Sequence, residues 1–181
     1  MVIPTPFLCS CSSMGQGPSF CSFPDDDQDL RFCSKGEDGS IRPTYQEALA
    51  WQESFENLMN TKAGKMLFTE FLKREFADEN IMFWQACENL KMEKDSEKVV
   101  EKVKIIFDDF ISILSPKEVS IDSKTREEIH RRLVNPSKSI FEDAQKQVWM
   151  LMQRDSYPRF LHSELYRDLL AQYKCEDFED A

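Results

Sequence analysis

Histidine is scarce in this chain, which has only His130 and His162 among 181 residues. Glu127 and His130 have the Glu-x-x-His spacing of a di-iron ligand pair, but a helical bundle of that type needs a second copy, and Arg159 stands where the glutamate before His162 would be. Two histidines, with no Gly-x-Ser-x-Gly sequence, also leave little from which to build a nucleophilic triad. We therefore expect no metal site, no bound cofactor and no hydrolytic site in this chain.

Glycine and long apolar runs are also in short supply. Beyond residue 44 the only glycine is Gly64, and Met66 follows Gly64-Lys65, so the chain lacks a phosphate-binding loop. No apolar stretch approaches the roughly 20 residues that a membrane span needs. The start of the chain is interrupted by Pro4 and Pro6 and lacks basic residues, unlike a signal peptide. Without a membrane span or a signal peptide, we expect a cytoplasmic protein. The formal net charge of −10 disfavours nucleic acid and suits a partner with a basic face, so we expect no binding of nucleic acid.

Four of the six cysteines lie in the first 33 residues, namely Cys9, Cys11, Cys21 and Cys33. Their spacing lacks paired Cys-x-x-Cys sequences and no histidine is near, which argues against zinc. The lack of a secretory signal argues against disulfides. Two interpretations remain open, acceptance of palmitate by a flexible tail and unmodified free thiols. Cys87, by contrast, lies within an apolar pattern and is expected to pack in the core.

Composition divides the chain into a tail and one domain. Residues 1–44 contain four of the five glycines, five of the eight prolines and an acidic run. Such a segment cannot bury enough apolar surface to offset its conformational entropy. We predict a disordered, cysteine-containing tail over residues 1–44, a helical domain over residues 45–172 and an acidic C-terminal tail over residues 173–181.

Apolar residues in the predicted domain recur at helical spacing, and no segment alternates with a period of two. The first four stripes consist of Trp51, Phe55, Leu58 and Met59; Leu67, Phe68, Phe71, Leu72 and Phe76; Ile81, Phe83, Trp84, Cys87 and Leu90; and Val99, Val103, Ile106, Phe107, Phe110 and Leu114. Asp78 and either Asp122 or Ser123 are expected to cap helices, and Ser139 and Glu142 to form a capping box. The sequence predicts an all-α domain of eight or nine short helices.

Three polar connectors, each just outside a predicted helix end, are the candidate functional segments. They are residues 75–80, residues 118–123 and residues 151–159. Antiparallel neighbours in a helix bundle bring alternate connectors to the same end of the bundle. The three connectors are therefore expected to form one binding surface on a rigid scaffold.

Two pairs of residues stand out within these connectors. Glu79 and Asn80 begin a predicted helix, where side chains usually point outward and backbone donors are free. Asp155 and Arg159 have the favoured order for an i,i+4 ion pair, which would hold the carboxylate in place. Taken singly each pair is ordinary turn chemistry, but together they are typical of a composite binding site.

Four ordered motifs resemble those of the regulator of G-protein signalling (RGS) domain. They are Glu-Asn-Ile-Met-Phe-Trp at 79–84, Lys-Glu-Val-Ser-Ile-Asp-Ser at 117–123, Phe-Glu-Asp-Ala-Gln at 141–145 and Asp-Ser-Tyr-Pro-Arg-Phe at 155–160. The resemblance runs from about Trp51 to Leu170, with helix lengths and gaps in register. Four motifs in order across one domain make a specific signal.

The resemblance implies a GTPase-activating protein for heterotrimeric G-protein α subunits of the inhibitory or q class, in their GTP-bound or transition-state form. It implies a monomer with two helical lobes, one of them a four-helix bundle. Such a protein does no chemistry itself but holds the switch loops of the α subunit in the geometry of the transition state. The faster hydrolysis of GTP then terminates receptor signalling. The residues it assigns to the interface are Glu75, Phe76, Glu79, Asn80, Glu118, Ser120, Asp122, Leu151, Asp155, Ser156 and Arg159. The alternative is a domain that binds α subunits as a scaffold or effector antagonist without accelerating hydrolysis.

Two features depart from the commonest pattern of this family. Ser120 stands where many members have asparagine, which resembles the Z-type branch. Relatives in that branch carry a dense cysteine string in the tail, and the four tail cysteines here are a sparser version of it. The resemblance thus implies palmitoylation of the tail and a location at the inner face of the plasma membrane.

Overall fold

A computed structural model describes residues 42–179 of the chain, with side chains described for residues 42–173. The described residues form α-helices and two π-helical segments and contain no strand, which confirms the predicted all-α class. The α-helices are α1 (Tyr45–Ala50), α2 (Phe55–Asn60), α3 (Lys62–Arg74), α4 (Glu79–Met92), α5 (Ser96–Ile106), α6 (Ser123–Arg132), α7 (Glu142–Leu151), α8 (Tyr157–Leu161) and α9 (Glu164–Glu179). The predicted disordered tail, except for its last three residues, and its four cysteines lie outside the described residues. Within residues 42–179 no helix has the length and hydropathy that crossing a membrane requires.

The helices pack in two groups, as the resemblance implied. Helix α4 packs against α5 and α7, and α6 packs against α7, which makes a four-helix group. Helix α9 packs against α1, α3 and α8, and α2 packs against α1 and α3. Aromatic rings in tilted contact join the groups, because Trp149 of α7 lies 4.6 Å from Phe55 in α2, measured between ring centroids. Within its own group Trp149 lies 5.3 Å from Trp84 in α4.

Two five-residue π-helical segments continue α-helices without a break. The first, π1 (Phe107–Ile111), follows α5, and the second, π2 (Met152–Ser156), follows α7. Their wider turns are closed by hydrogen bonds to the carbonyl five residues earlier, from the Ser112 N–H to Phe107 and from the Tyr157 N–H to Met152. Such segments are rare and occur often at functional sites.

The predicted caps have mixed outcomes. Asp122 caps α6, because its carboxylate accepts a hydrogen bond from the Thr125 N–H at 2.7 Å. Asp78 occupies the N-cap position of α4 but makes no capping bond with its side chain. The predicted capping box of Ser139 and Glu142 is wrong, because a backbone turn delays the start of α7 to Glu142 and leaves residue 141 at the N-cap position without a side-chain bond.

Two members of the predicted apolar stripes lie at the surface instead of in the core. Leu114 is 90% exposed, because the helix ends with π1 at Ile111 and the chain then turns away. Phe76 is 91% exposed and lies beyond the end of α3. Trp51 is fully buried as predicted, but in the turn between α1 and α2. At the other end of the chain, α9 continues to Glu179, beyond the predicted domain end at residue 172.

Gly64, the only glycine among the described residues, lies where α2 and α3 approach closely. A Cβ atom on Gly64 would lie 2.2 Å from the Leu58 carbonyl oxygen and 2.6 Å from the Thr61 hydroxyl oxygen. Both positions are far inside normal contact distance, and the first involves backbone that cannot rotate away. Gly64 therefore lets α3 pack directly on the end of α2, which sets the start of the helix that leads to the 75–80 connector.

Candidate functional site

The turn between α3 and α4 places a large apolar side chain in solvent. Helix α3 ends in a Schellman motif, with the Phe76 N–H donating to the Lys73 carbonyl at 3.1 Å and the Ala77 N–H to the Leu72 carbonyl at 2.9 Å. The residue that must adopt the left-handed conformation in this motif is usually glycine, yet here it is Phe76, with φ of 53°. The left-handed conformation costs an L-residue about 1–2 kcal/mol. A strained and fully exposed phenylalanine is therefore the first feature of a candidate binding surface.

An ion-pair network joins this turn to the 151–159 connector. The Arg159 guanidinium donates from Nη2 to Glu75 Oε2 at 2.6 Å and from Nη1 to Asp155 Oδ2 at 2.7 Å, which confirms the predicted i,i+4 pair. These bonds, to Glu75 foremost and then to Asp155, raise the pKa of Arg159. All three side chains are partly exposed, so each pair contributes only about 0–1 kcal/mol to stability. Their main effect is to fix two carboxylates, from distant parts of the chain, on one surface.

Asn80 is buried rather than outward-pointing, which corrects the expectation from its place at a helix start. It is 7% exposed, and its Nδ2 donates to the Ala77 carbonyl at 3.1 Å and to Glu79 Oε1 at 2.7 Å. Burial raises the pKa of Glu79, against the opposing effect of a hydrogen bond from its own backbone. Among the described residues none donates to the Asn80 Oδ1 atom, so the amide is held in one orientation with its acceptor unused.

The π2 segment decides which residues of the third connector reach the surface. Asp155 is exposed, whereas Met152 is fully buried and Ser156 is 4% exposed. Leu151, the last residue of α7, is half-buried. The structure therefore brings Leu151, Asp155 and Arg159 to the surface and encloses Ser156 within the domain. Because burial depends on how the π turn packs, the local sequence gave no sign of it.

The segment between π1 and α6, residues 112–122, carries the predicted residue Ser120, and we call it the Ser120 connector. Val119 anchors it, since its side chain is 1% exposed and its N–H donates to the Phe110 carbonyl at 2.9 Å. Arg126 of α6 donates to Glu118 Oε1 at 2.6 Å and also to the Ile111 carbonyl. Glu118 is thus engaged within the domain, while Ser120 itself is exposed.

Gln147 of α7 holds the other end of the Ser120 connector, and it is not among the residues predicted from the sequence. Its Oε1 accepts from the Asp122 N–H at 3.1 Å, and its Nε2 donates to Asp122 Oδ2 at 2.6 Å and to the Thr125 hydroxyl at 2.8 Å. The pKa of the Asp122 carboxyl is lowered by hydrogen bonds to its charged form. The bond from the Thr125 backbone has the largest effect, and that from Gln147 is the next largest of those that lower the pKa. The only local signal was that Gln147 precedes Leu151 by four residues, on the same face of one helix.

These contacts relate all three predicted connectors to one another. Residues 75–80 are tied directly to the 151–159 connector by Arg159, and the Ser120 connector is tied by Gln147 to the helix that leads into π2. Burial raises the pKa of the Cys87 thiol, which agrees with its expected packing role. Within residues 42–173 no group of three histidine, cysteine or carboxylate side chains is placed to hold a metal ion. What the geometry offers is a preformed polar surface with one exposed aromatic ring.

The sequence of this chain is similar to those of several known proteins. The family model of the Regulator of G protein signaling domain matches residues 54–169. The Regulator of G-protein signaling rgs-2 of Caenorhabditis elegans is 49% identical over 169 residues, which are 93% of this chain and 95% of that protein. The Regulator of G-protein signaling 20 of Bos taurus is 54% identical over 143 residues, 79% of this chain but 37% of its own length. The Regulator of G-protein signaling 19 of Rattus norvegicus is 51% identical over 130 residues, 72% of this chain and 60% of its own length.

Proposed function

The chain belongs to the regulator of G protein signaling family, and from that premise we propose that it is a GTPase-activating protein for the α subunits of heterotrimeric G proteins. The observation that carries the proposal is the composite surface, in which Arg159 joins the strained Phe76 turn to Asp155. A surface of fixed carboxylates, a held amide and an exposed ring suits recognition of mobile loops in a partner.

The physical route to acceleration is preorganisation of the partner. A G-protein α subunit already carries its arginine finger in cis, yet it hydrolyses GTP at only about 10⁻² per second. Contacts that are stronger in the transition state than in the ground state lower this barrier without donating a catalytic group. A rigid domain that clamps the switch loops makes such contacts at little cost in conformational entropy.

The predicted interface residues have distinct roles in this proposal. Phe76, Glu79 and Asn80 contact the switch loops, and Ser120 lies against the catalytic glutamine of the α subunit. A second group, Leu151, Asp155 and Arg159, grips the loop with the magnesium-binding threonine. The structure supports a different role for three further predicted residues, Glu75, Glu118 and Ser156. The two glutamates form intramolecular ion pairs with side chains only 30% and 33% exposed, and the serine is buried. Asp155 and Arg159 are also paired, but their side chains are 57% and 46% exposed, which leaves them more surface for a partner. We propose that the two glutamates and the serine hold the interface segments in place, and that Asp122 both holds its segment and contacts the α subunit.

The proposal is tested by single-turnover GTP hydrolysis, with purified α subunits of the inhibitory and q classes and the full 181-residue chain. We expect the chain to raise the hydrolysis rate constant of at least one of these α subunits by about a hundredfold, which is less than the roughly 10³–10⁵ that an arginine finger supplies, because the α subunit already carries its own arginine. A chain that binds the aluminium fluoride form of the α subunit without raising the rate would instead act as a scaffold or effector antagonist. We propose the GTP-bound and transition-state forms as the targets and a monomer as the active species.

We further propose that the tail attaches the protein to the inner face of the plasma membrane through palmitate. The candidate acceptors, Cys9, Cys11, Cys21 and Cys33, lie outside the described residues, and the support is their clustering together with the family membership. In cells fed a palmitate analogue, we expect label that hydroxylamine removes and that disappears when all four are changed to serine. Label that persists in the quadruple variant would place acylation elsewhere, and the absence of any label would leave the four as free thiols.

A further inference from the structure

We propose that Gln147 is a positioning residue that sets where the Ser120 connector stands against α7, and thereby how strongly the domain accelerates GTP hydrolysis. This role rests on the proposed function. Gln147 belongs to none of the predicted interface segments and is half-buried. Both of its polar atoms are engaged within the domain, so it acts through the connector and not by contact with the partner.

The amide of Gln147 matches the connector in both directions. Its oxygen accepts from the Asp122 N–H, and its nitrogen donates to the Asp122 carboxylate and to the Thr125 hydroxyl, at 3.1, 2.6 and 2.8 Å respectively. Reversing the amide would place its oxygen against a carboxylate and its NH₂ against an N–H. Only one orientation therefore satisfies all the partners, which makes the contact a specific clasp between residues 25 positions apart.

With the clasp, both carboxylate oxygens of Asp122 accept a hydrogen bond. One carboxylate oxygen caps α6 by accepting from the Thr125 N–H at 2.7 Å, and the other accepts from Gln147. The helix start favours a negative charge at this point, so the carboxylate and the helix hold each other in place. Gln147 then fixes this helix start against α7, one turn before Leu151.

The position of the Ser120 hydroxyl depends on the backbone on either side of it. Val119 is anchored in the core and Asp122 is held by Gln147, so Ser120 lies on a short span between two fixed points. No hydrogen bond to the Ser120 side chain exists among the described residues. A serine hydroxyl stands one bond beyond Cβ and has a single side-chain torsion, so its reach cannot compensate for a displaced backbone. The position of its hydroxyl is thus set by the two ends of the span.

The experiment compares Gln147→Ala and Gln147→Glu with the unmodified full chain in single-turnover GTP hydrolysis by an α subunit. Each variant is used at the same concentration, below the one that saturates the α subunit. We expect Gln147→Ala to lower the acceleration about tenfold, the size expected for losing a hydrogen-bond clasp to a charged group. Gln147→Glu should be lower still, because it places a second carboxylate against Asp122. Gln46→Ala, the same change at an exposed position of α1, should match the unmodified chain and serves as the control.

Two further measurements separate positioning from direct contact and from failure of the proposed function. In a double-mutant cycle, Gln147→Ala and Asp122→Ala should lose less together than the sum of their separate losses, because both remove the bond between Gln147 Nε2 and the Asp122 carboxylate, whereas fully additive losses would overturn the positioning role. Amide hydrogen exchange without any α subunit should be about tenfold faster at Asp122 in Gln147→Ala than in the unmodified chain. Unchanged exchange overturns the inference even if the domain is active. A chain that activates no α subunit yet shows faster exchange overturns the proposed function and leaves the clasp established.

Discussion

Changing Asn80 to alanine is expected to reduce the acceleration of GTP hydrolysis about a hundredfold at a fixed concentration of the domain, which corresponds to about 2.7 kcal/mol. The amide is buried and already oriented, with Nδ2 bonded to the Ala77 carbonyl and to Glu79 while Oδ1 accepts nothing from the described residues. A partner donor that reaches Oδ1 meets a preformed acceptor and loses little entropy in doing so. Alanine removes the acceptor and leaves that donor buried without a bond, which is the more costly part of the loss.

The measurement is single-turnover hydrolysis with the full chain and the α subunit that responds best to it. Asn89→Ala supplies a matched control, because Asn89 is exposed on the same helix, α4, and the chemical change is the same. Thermal unfolding of both variants separates lost contact from lost folding. Full acceleration by a folded Asn80→Ala chain would show that this amide is not part of the interface.

Changing Phe76 to glycine is expected to move stability and activity in opposite directions. Glycine adopts the left-handed conformation without strain, so the free energy of unfolding should rise by about 1 kcal/mol, or the Tm by about 4 °C. The acceleration of GTP hydrolysis should fall by about thirtyfold or more, because a side chain that is 91% exposed in the free domain loses its burial against the partner. A residue that served only the fold would not change the two quantities in this way.

Two companion variants divide this result into its causes. Phe76→Ala keeps a Cβ atom at φ of 53° and removes only the ring, so the activity should fall while the Tm stays close to that of the unmodified chain. Met92→Ala changes another large exposed side chain, 80% exposed at the opposite end of α4, and should leave the acceleration unaltered. An active and stabilised Phe76→Gly chain would exclude Phe76 from the interface.

The parts of this fold that follow from local chemistry could be predicted from the sequence. The helical spacing of the apolar residues predicted the all-α class. The i,i+4 rule predicted the ion pair of Asp155 and Arg159 that the structure contains. The cap at Asp122 was also predictable, since a short carboxylate before an apolar pattern is a strong helix-start signal. These features depend on residues within one helical turn of one another.

The parts that could not be predicted depend on distant residues or on backbone conformation. Phe76 continues an apolar stripe in the sequence, and without a glycine nothing signalled that α3 ends in a left-handed residue two positions after Arg74. Burial of Ser156 and Asn80 follows from how their segments pack, and polar residues at helix ends are more often exposed. The contact between Gln147 and Asp122 joins residues on different helices, which no local pattern reports.

The π2 segment makes the spacing between α7 and α8 tolerant of a one-residue change. A π turn accommodates one more residue than an α turn, and each residue of an α-helix advances the chain by about 100° around the axis. A relative with one residue fewer in π2 would close this turn as an α turn and keep Arg159 facing Glu75, whereas one residue fewer elsewhere in the helix would rotate the guanidinium away by about that angle. Among proteins of this family, a single alignment gap therefore preserves or changes the surface according to whether it falls inside π2, a difference that percentage identity does not report.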